Sequence, residues 1–234
     1  MNQRRAFLLT SVGVGLAGVI TSATAARGAE DKKEKPEEEV GAVEDLMREH
    51  GVLNRVLLVY DEGLRRLRAR DEVPPEVFRR TATLVRKFVE DYHERLEEKF
   101  IFPEFEKQQK LTDLVKVLRK QHDAGRAVTD VVLRLATGDR FRKEDGRKEL
   151  AGVVRAFIRM YRPHEAREDT VLFPALHGLL SARQMRELGE RFEQEEDRLF
   201  GEGGFQRTVG QVAEIERQLG IYDLDQFTPR LTGR

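Results

Sequence analysis

The pattern that most constrains this chain is a histidine followed four residues later by a glutamate and, five residues after that, by Phe-Pro. It occurs twice, as HERLEEKFIFP from His93 and as HEAREDTVLFP from His164. Residues four apart lie on the same face of an α-helix, so each histidine and its glutamate can bind one ion together. The two glutamates are Glu97 and Glu168. The repeat predicts two helices that each present a pair of metal-binding side chains.

Two more histidines extend the repeat. His50 lies 43 residues before His93, and His122 lies 42 residues before His164. The chain therefore contains a lone histidine followed by a His-Glu pair twice, with a period of about 71 residues. Helices one and three are expected to carry the lone histidines, and helices two and four the pairs.

Apolar residues recur at helical spacing, and charged residues make up 36% of the chain against 7% for aromatic residues. These features favour an all-α fold. The first few dozen of the 234 residues differ from the remainder. We therefore expect one globular domain of about 190 residues, which is long enough to bury a real core.

Composition and charge exclude several kinds of function. The chain has no cysteine, which rules out disulfides, thiolate zinc sites, iron–sulfur ligation and thiol catalysis. Its 42 basic and 42 acidic residues cancel, so bulk charge gives no support for nucleic-acid binding. No glycine-rich phosphate loop or catalytic serine triad is present in the sequence.

The apolar stripes predict four long helices followed by two shorter ones. The expected spans are about 40–70, 75 to just before Pro103, about 112–136, about 144 to Pro174, 181–200, and, after Gly201–Gly204, a last helix to about Leu219. Ser181 is expected to cap the fifth helix. Pro163 is expected to kink the fourth helix, because it removes the hydrogen bond to the carbonyl of Arg159.

A single histidine on an apolar helix face is usually a hydrogen-bonded core residue. Here four of the five histidines fall on the inward stripes of four different helices, and two glutamates share those stripes. A buried carboxylate without a partner costs several kcal/mol. Cations at the centre of the bundle account for all six residues together, whereas a metal-free structural bundle needs a separate explanation for each.

The donor set indicates which metals suit the site. Imidazole suits iron, zinc and copper, and bridging carboxylates suit paired ions. Four histidines and two glutamates are too many for one tetrahedral zinc. If each carboxylate spans two ions, each ion receives two nitrogens and two oxygens, and a bridging oxygen adds a fifth donor, which leaves one open position. The zinc-protease motif HExxH is absent, because the fifth residue of both motifs is glutamate.

These residues resemble the hemerythrin-like, or HHE cation-binding, domain over about 40–175. The resemblance implies an up-and-down four-helix bundle that holds two iron ions in a non-haem di-iron centre. It implies that His50, His93, His122 and His164 are terminal ligands. It also implies that Glu97 and Glu168 bridge the two ions.

Two departures separate this chain from the oxygen-carrying hemerythrins. They have HxxxH on the third helix, but Arg126 stands four residues after His122. They also use a longer spacing to an aspartate on the fourth helix, where this chain has Glu168. The four-histidine, two-glutamate set is closer to di-iron proteins that repair iron–sulfur clusters, but those carry a cysteine-bearing N-terminal domain that this chain lacks.

The sequence leaves two classes of function open. In the first, the site binds O₂ or NO, or holds iron, without turnover. In the second, it is an enzyme that reduces O₂, peroxide or NO, or a di-iron oxidoreductase that transfers electrons. We favour the first, because no site for a redox partner or substrate is visible in the sequence. The oligomeric state is not predicted.

The N-terminus has the layout of an export signal. A basic region with Arg4 and Arg5 precedes an apolar stretch and the small-residue site Ala23-Thr24-Ala25. The paired arginines resemble a twin-arginine signal, which predicts a periplasmic or secreted protein. An ordinary secretory signal and an uncleaved anchor are the alternatives. The expected domain boundaries are 1–29 (signal), 30–39 (charged linker), 40–180 (bundle) and 181–234 (C-terminal helices and tail).

Five further residues are weaker candidates. His177 is expected at the surface or at a helix end. Glu193, Glu195 and Glu196 are interpreted as a solvated face of the fifth helix. Tyr161, one turn before His164, is interpreted as a core residue, with a hydrogen bond to the ligand set as the alternative.

Overall fold

The structure is a computed structural model that describes residues 40–229, and within this range it contains helices and no strand. The helices are α1 (Ala42–Ala69), α2 (75–107), α3 (Thr112–Leu135), α4 (Gly138–Arg142), α5 (144–176), α6 (Ala182–Phe200), α7 (Gly204–Gln218) and the 3₁₀ turn Leu224–Phe227. The all-α prediction is confirmed, with additional helices after the bundle. The expected signal and linker, residues 1–39, lie outside the described residues.

Local chemistry explains where several helices begin and end. Pro75 occupies the first turn of α2, where its missing N–H costs nothing. The α1 helix ends at Arg70, which adopts the left-handed conformation with φ 59°. Ser181 and Gln184 form a capping box at the start of α6, as the sequence predicts for Ser181.

The predicted ends of the second and fourth helices are wrong. Helices α2 and α5 continue through the proline of each Phe-Pro pair, to residues 107 and 176. Both contain a wide π-helical turn at this point: the N–H of Phe102 bonds the carbonyl of Glu97, and that of Phe173 bonds the carbonyl of Glu168. A wide turn immediately before a proline relieves the clash of its ring with the preceding turn.

Four long helices, α1, α2, α3 and α5, form the bundle. Short connections join them, so successive helices run antiparallel, and α5 packs along both α1 and α3. Aromatic side chains make up much of the core, and those with almost no exposure are Tyr60, Tyr92, Tyr161, Phe78, Phe88, Phe102, Phe105, Phe157 and Phe173 on the bundle helices and Phe192 on α6. Each such side chain stabilises the fold by about 1.5–3 kcal/mol, so the core fixes the helices that carry the histidines.

Helices α6 and α7 pack outside the bundle. Both contact α1 and α2. Pro163 lies inside α5, which continues past it. Among residues 40–229, no helix combines the length and apolar character that crossing a membrane requires.

Candidate metal centre

Each of the four long helices contributes one histidine to a single buried cluster. His50 comes from α1, His93 from α2, His122 from α3 and His164 from α5. Their side chains and those of the two glutamates are only 0–4% exposed. The Nε2 atoms of His50 and His93 are 3.0 Å apart, and the rings of His122 and His164 have centroids 5.0 Å apart.

Glu168 lies between the two pairs of histidines. Its Oε2 atom is 3.3 Å from Nε2 of His50 and 3.1 Å from Nε2 of His164. These histidines belong to different halves of the repeat. One carboxylate can therefore contact ions on both sides of the cluster.

Glu97 has the matching location. Its Oε2 atom is 3.4 Å from Nε2 of His122 and 3.9 Å from Nε2 of His93. The six residues thus define two adjacent positions for an ion, which we call position A, beside His50 and His93, and position B, beside His122 and His164. The structure brings together every residue that the sequence predicts as a ligand.

The two glutamates lack the hydrogen bonds that buried carboxylates need. All four of their carboxylate oxygens are buried without an aligned donor, although imidazole nitrogens lie within 4 Å of the two Oε2 atoms. Burial and the neighbouring Glu168 raise the pKa of Glu97 well above its ordinary range. Burial opposes ionisation of Glu168 too, but His164 and His50 hold its pKa well below the ordinary range. Two carboxylates so placed ionise together only beside a cation, so the donor set fits metal ions.

The outward-facing nitrogens of position A are held by carboxylates. Nδ1 of His50 donates to Oδ1 of Asp169 at 2.7 Å, and Nδ1 of His93 donates to Oε2 of Glu49 at 2.7 Å. An ionised carboxylate only accepts hydrogen bonds, so Nδ1 carries the proton. Nε2 therefore faces the centre, which is the orientation of metal-bound histidines.

Position B has the same arrangement with different partners. Nδ1 of His122 donates to Oε1 of Glu98 at 3.0 Å, and Nδ1 of His164 donates to Oε1 of Gln121 at 2.9 Å. Burial lowers the pKa of His122 to about 4, so this imidazole is neutral at neutral pH, as a ligand must be.

His50 differs from His122. Burial lowers its pKa, but Asp169 and Glu168 outweigh burial and raise the pKa to about 10. Without a metal ion, this imidazole therefore carries two protons at neutral pH. A metal ion held by His50 at position A would displace the proton on Nε2.

Sequence reasoning missed these four outer partners, although each is adjacent in the chain to a predicted ligand. Glu49 and Gln121 each stand immediately before a lone histidine, and each bonds the histidine of the His-Glu pair in its own copy of the repeat. Glu98 and Asp169 each stand immediately after a paired glutamate, and each bonds the lone histidine of the other copy.

The Phe-Pro pairs also contact the cluster. The ring of Phe102 stacks on His122 with centroids 5.4 Å apart, and the ring of Phe173 stacks on His50 at 5.6 Å. Each phenylalanine therefore packs against the lone histidine of the other half. This packing gives the repeated motif a role in orienting the imidazoles.

Arg126, which stands where oxygen carriers have a ligand, is held away from the centre. Its Nη2 atom is 2.7 Å from Oε1 of Glu98 and 2.9 Å from Oε2 of Glu94. The hydroxyl of Tyr161 donates to Oε1 of Glu94 at 2.6 Å. Tyr161 is thus a buried core residue, as the sequence predicts, and it hydrogen-bonds the outer network. Gly125 makes room for it, since a Cβ there would lie 2.0 Å from the tyrosine oxygen.

The weaker candidates have mixed outcomes. His177 is exposed in the turn after α5, as predicted. Glu193 and Glu195 are partly exposed, but Glu196 is fully buried, so the prediction of a solvated face is wrong for this residue. The turn between α6 and α7 explains the difference, because Oε1 of Glu196 accepts a hydrogen bond from the N–H of Phe205 at the start of α7.

The fold and the cluster define a four-helix-bundle protein whose buried histidines and glutamates can hold metal. The family model described as the hemerythrin HHE cation binding domain matches residues 41–176, and the chain belongs to this family. Uncharacterized proteins of Mycobacterium tuberculosis and Mycobacterium bovis are 49% identical to it over 228 residues, which cover 94% of this chain and 89% of each relative. No solved structure matches the chain.

Proposed function

We propose that this chain is an exported non-haem di-iron protein that binds or reacts with O₂ or NO, or handles iron. The observation that carries the proposal is the orientation of the cluster. Every imidazole donates its Nδ1 proton outward, and the Nε2 atoms and the carboxylate oxygens of Glu97 and Glu168 converge at two adjacent positions.

The donor set supports two ions and favours iron. Nitrogen and carboxylate oxygen in equal measure suit iron better than the soft copper or structural zinc that thiolates select, and the chain has no cysteine. Family membership is consistent with a cation at this place. Iron held by these six residues would supply a redox-active centre that can bind a small ligand.

Two features support a diatomic ligand. The six ligands are nearly inaccessible, so only a very small molecule reaches them without large movement of the helices. Arg126 is directed at Glu94 and Glu98, so its side chain does not occupy a position at the centre. A free coordination position in a buried, largely aromatic surrounding suits O₂ or NO.

An oxidoreductase that reduces O₂, peroxide or NO is the second candidate. One observation favours it: hydrogen bonds and ion pairs run from His122 through Glu98, Arg126 and Glu94 to the hydroxyl of Tyr161. Arg126 keeps its proton, so the network does not relay protons from end to end, but it places a phenol and two carboxyl groups, which can hold protons, beside position B. Steady consumption of O₂, peroxide or NO with a reductant would favour this candidate over a binding protein.

The deciding experiment is metal analysis of the full chain, with spectra under air, after dithionite and after NO. We expect two irons per chain and a spectral change when NO meets the reduced protein. One zinc per chain and no iron, in protein produced in its natural host, would overturn the proposal. A metal-free product that folds fully would indicate a structural bundle instead.

A further inference from the structure

The two positions differ in the charge that backs their histidines. At position A, both imidazoles donate to carboxylates, those of Asp169 and Glu49, at 2.7 Å. At position B, His164 donates to the neutral amide of Gln121 at the longer distance of 2.9 Å. The two copies of the repeat therefore differ in charge at one pair of equivalent residues, Glu49 and Gln121.

The remaining partner at position B is a carboxylate whose charge is already compensated. Oε1 of Glu98 accepts from Nδ1 of His122 at 3.0 Å and also from Nη2 of Arg126 at 2.7 Å. By contrast, across residues 40–229, neither Glu49 nor Asp169 forms an ion pair with an arginine or lysine. Position A thus has two uncompensated negative charges behind its ligands, and position B has none.

A carboxylate behind an imidazole makes the imidazole a stronger donor to a metal ion, because it stabilises positive charge on the ring. We propose that the two metal positions are inequivalent, with position A binding its ion more tightly and position B exchanging its ion first. Glu49 and Gln121 are the positioning residues that set the difference. This inference rests on the proposed two-ion site.

The expected size follows from the effect of such outer partners in metalloproteins. Replacing one typically changes metal affinity by about 10- to 100-fold. Exchanging the carboxylate and the amide between the two halves is therefore expected to move each binding step by about 10-fold or more.

The test uses the full chain, freed of metal and titrated with Co²⁺ against a competing chelator. Cobalt absorption reports the coordination of each ion, and the titration gives two stepwise dissociation constants. Two adjacent cations repel each other, so the second step is weaker even in a symmetric site. The informative measurement is therefore which step each variant changes.

Glu49→Gln and Gln121→Glu are reciprocal, nearly isosteric variants at equivalent places in the repeat. We expect Glu49→Gln to weaken the tighter step and Gln121→Glu to tighten the weaker step, each by about 10-fold or more. In the double variant one uncompensated carboxylate stands behind each position, Asp169 at position A and the introduced one at position B, so the two steps should lie closer together than in the parent chain. In the parent chain, His164→Ala should remove the weaker step.

The outcomes separate this inference from the proposal beneath it. Binding of fewer than two ions would overturn the di-metal proposal itself. Two bound ions with steps that neither variant changes, or with both variants acting on the same step, would overturn only the inequivalence of positions A and B. Gln121 is only partly buried, so Gln121→Glu keeps the test available if Glu49→Gln does not fold.

Discussion

Replacing Gly125 by alanine tests the packing beside the cluster most directly. Gly125 lies buried in α3, and a Cβ at this position would be 2.0 Å from the Tyr161 hydroxyl oxygen and 2.9 Å from Cζ. Alanine therefore cannot be accommodated unless the tyrosine moves. Movement breaks the 2.6 Å hydrogen bond from Tyr161 to Glu94, a side chain that is 1% exposed.

The magnitude follows from three contributions. Overpacking a filled core costs about 1–3 kcal/mol. Leaving a buried acceptor without its donor costs about 1–3 kcal/mol. Alanine is favoured over glycine inside a helix by about 1 kcal/mol, which offsets part of the loss. We expect Gly125→Ala to lower the free energy of unfolding by about 1–5 kcal/mol.

The assay is chemical denaturation of the metal-free full chain followed by circular dichroism. Gly152→Ala is the matched control, because a Cβ added to Gly152 in α5 would meet nothing within 4 Å, and this variant should stabilise by about 1 kcal/mol. Tyr161→Phe removes the clashing oxygen, so its effect combined with Gly125→Ala should be smaller than the sum. A Gly125→Ala variant as stable as Gly152→Ala would refute this reasoning.

Three further predictions concern the centre and its export. His93→Ala and Glu168→Ala should lose much of the two irons per chain and should unfold at lower denaturant, because bound metal adds its binding free energy to folding; metal analysis and denaturation measure both. Replacing Arg4 and Arg5 by lysine should leave precursor in the cytoplasm, which fractionation of the cells detects. With Arg126 in place of a ligand, the reduced protein should bind NO and pass rapidly to the diferric state in O₂, as stopped-flow absorption would show.

Each of these has a control or a contrary result. His177→Ala changes an exposed histidine outside the cluster and should leave the metal content unchanged. Arg27→Lys, outside the arginine pair, should leave export unchanged. Normal export of the double lysine variant would indicate the general secretory route. Repeated, fully reversible oxygenation would restore the carrier interpretation.

The sequence predicts the bundle and the convergence of the ligands because both depend on periodicity. The spacing of four between His93 and Glu97 places them on one helix face, and the second copy of the motif does the same for His164 and Glu168. Repetition at a fixed period then makes chance a poor explanation for any one histidine. No tertiary information is needed for this step.

Helix ends near the motif depend on a different kind of information. Pro103 and Pro174 ordinarily indicate that a helix stops, yet both lie within continuous helices. The wide turns that begin at Glu97 and Glu168 change the hydrogen-bond pattern ahead of each proline. Helix propensity describes the proline residue alone, so it cannot predict a wide turn that depends on packing around the cluster. Burial of Glu196 escaped prediction for a similar reason, since it depends on how α7 folds back.

The outer partners do not lie on the apolar or metal-binding face of their helices, so a sequence pattern that describes this face does not include them. Successive residues of an α-helix are separated by about 100° around its axis, so the neighbour of an inward ligand faces the adjacent helix. There its side chain meets the outward Nδ1 of that helix's imidazole, as Glu49 meets His93. Four of the six ligands therefore stand next to an outer partner in the chain, and a change in that partner leaves the ligand pattern intact. Gln121 is such a change: it preserves the inner set while altering the charge behind one histidine.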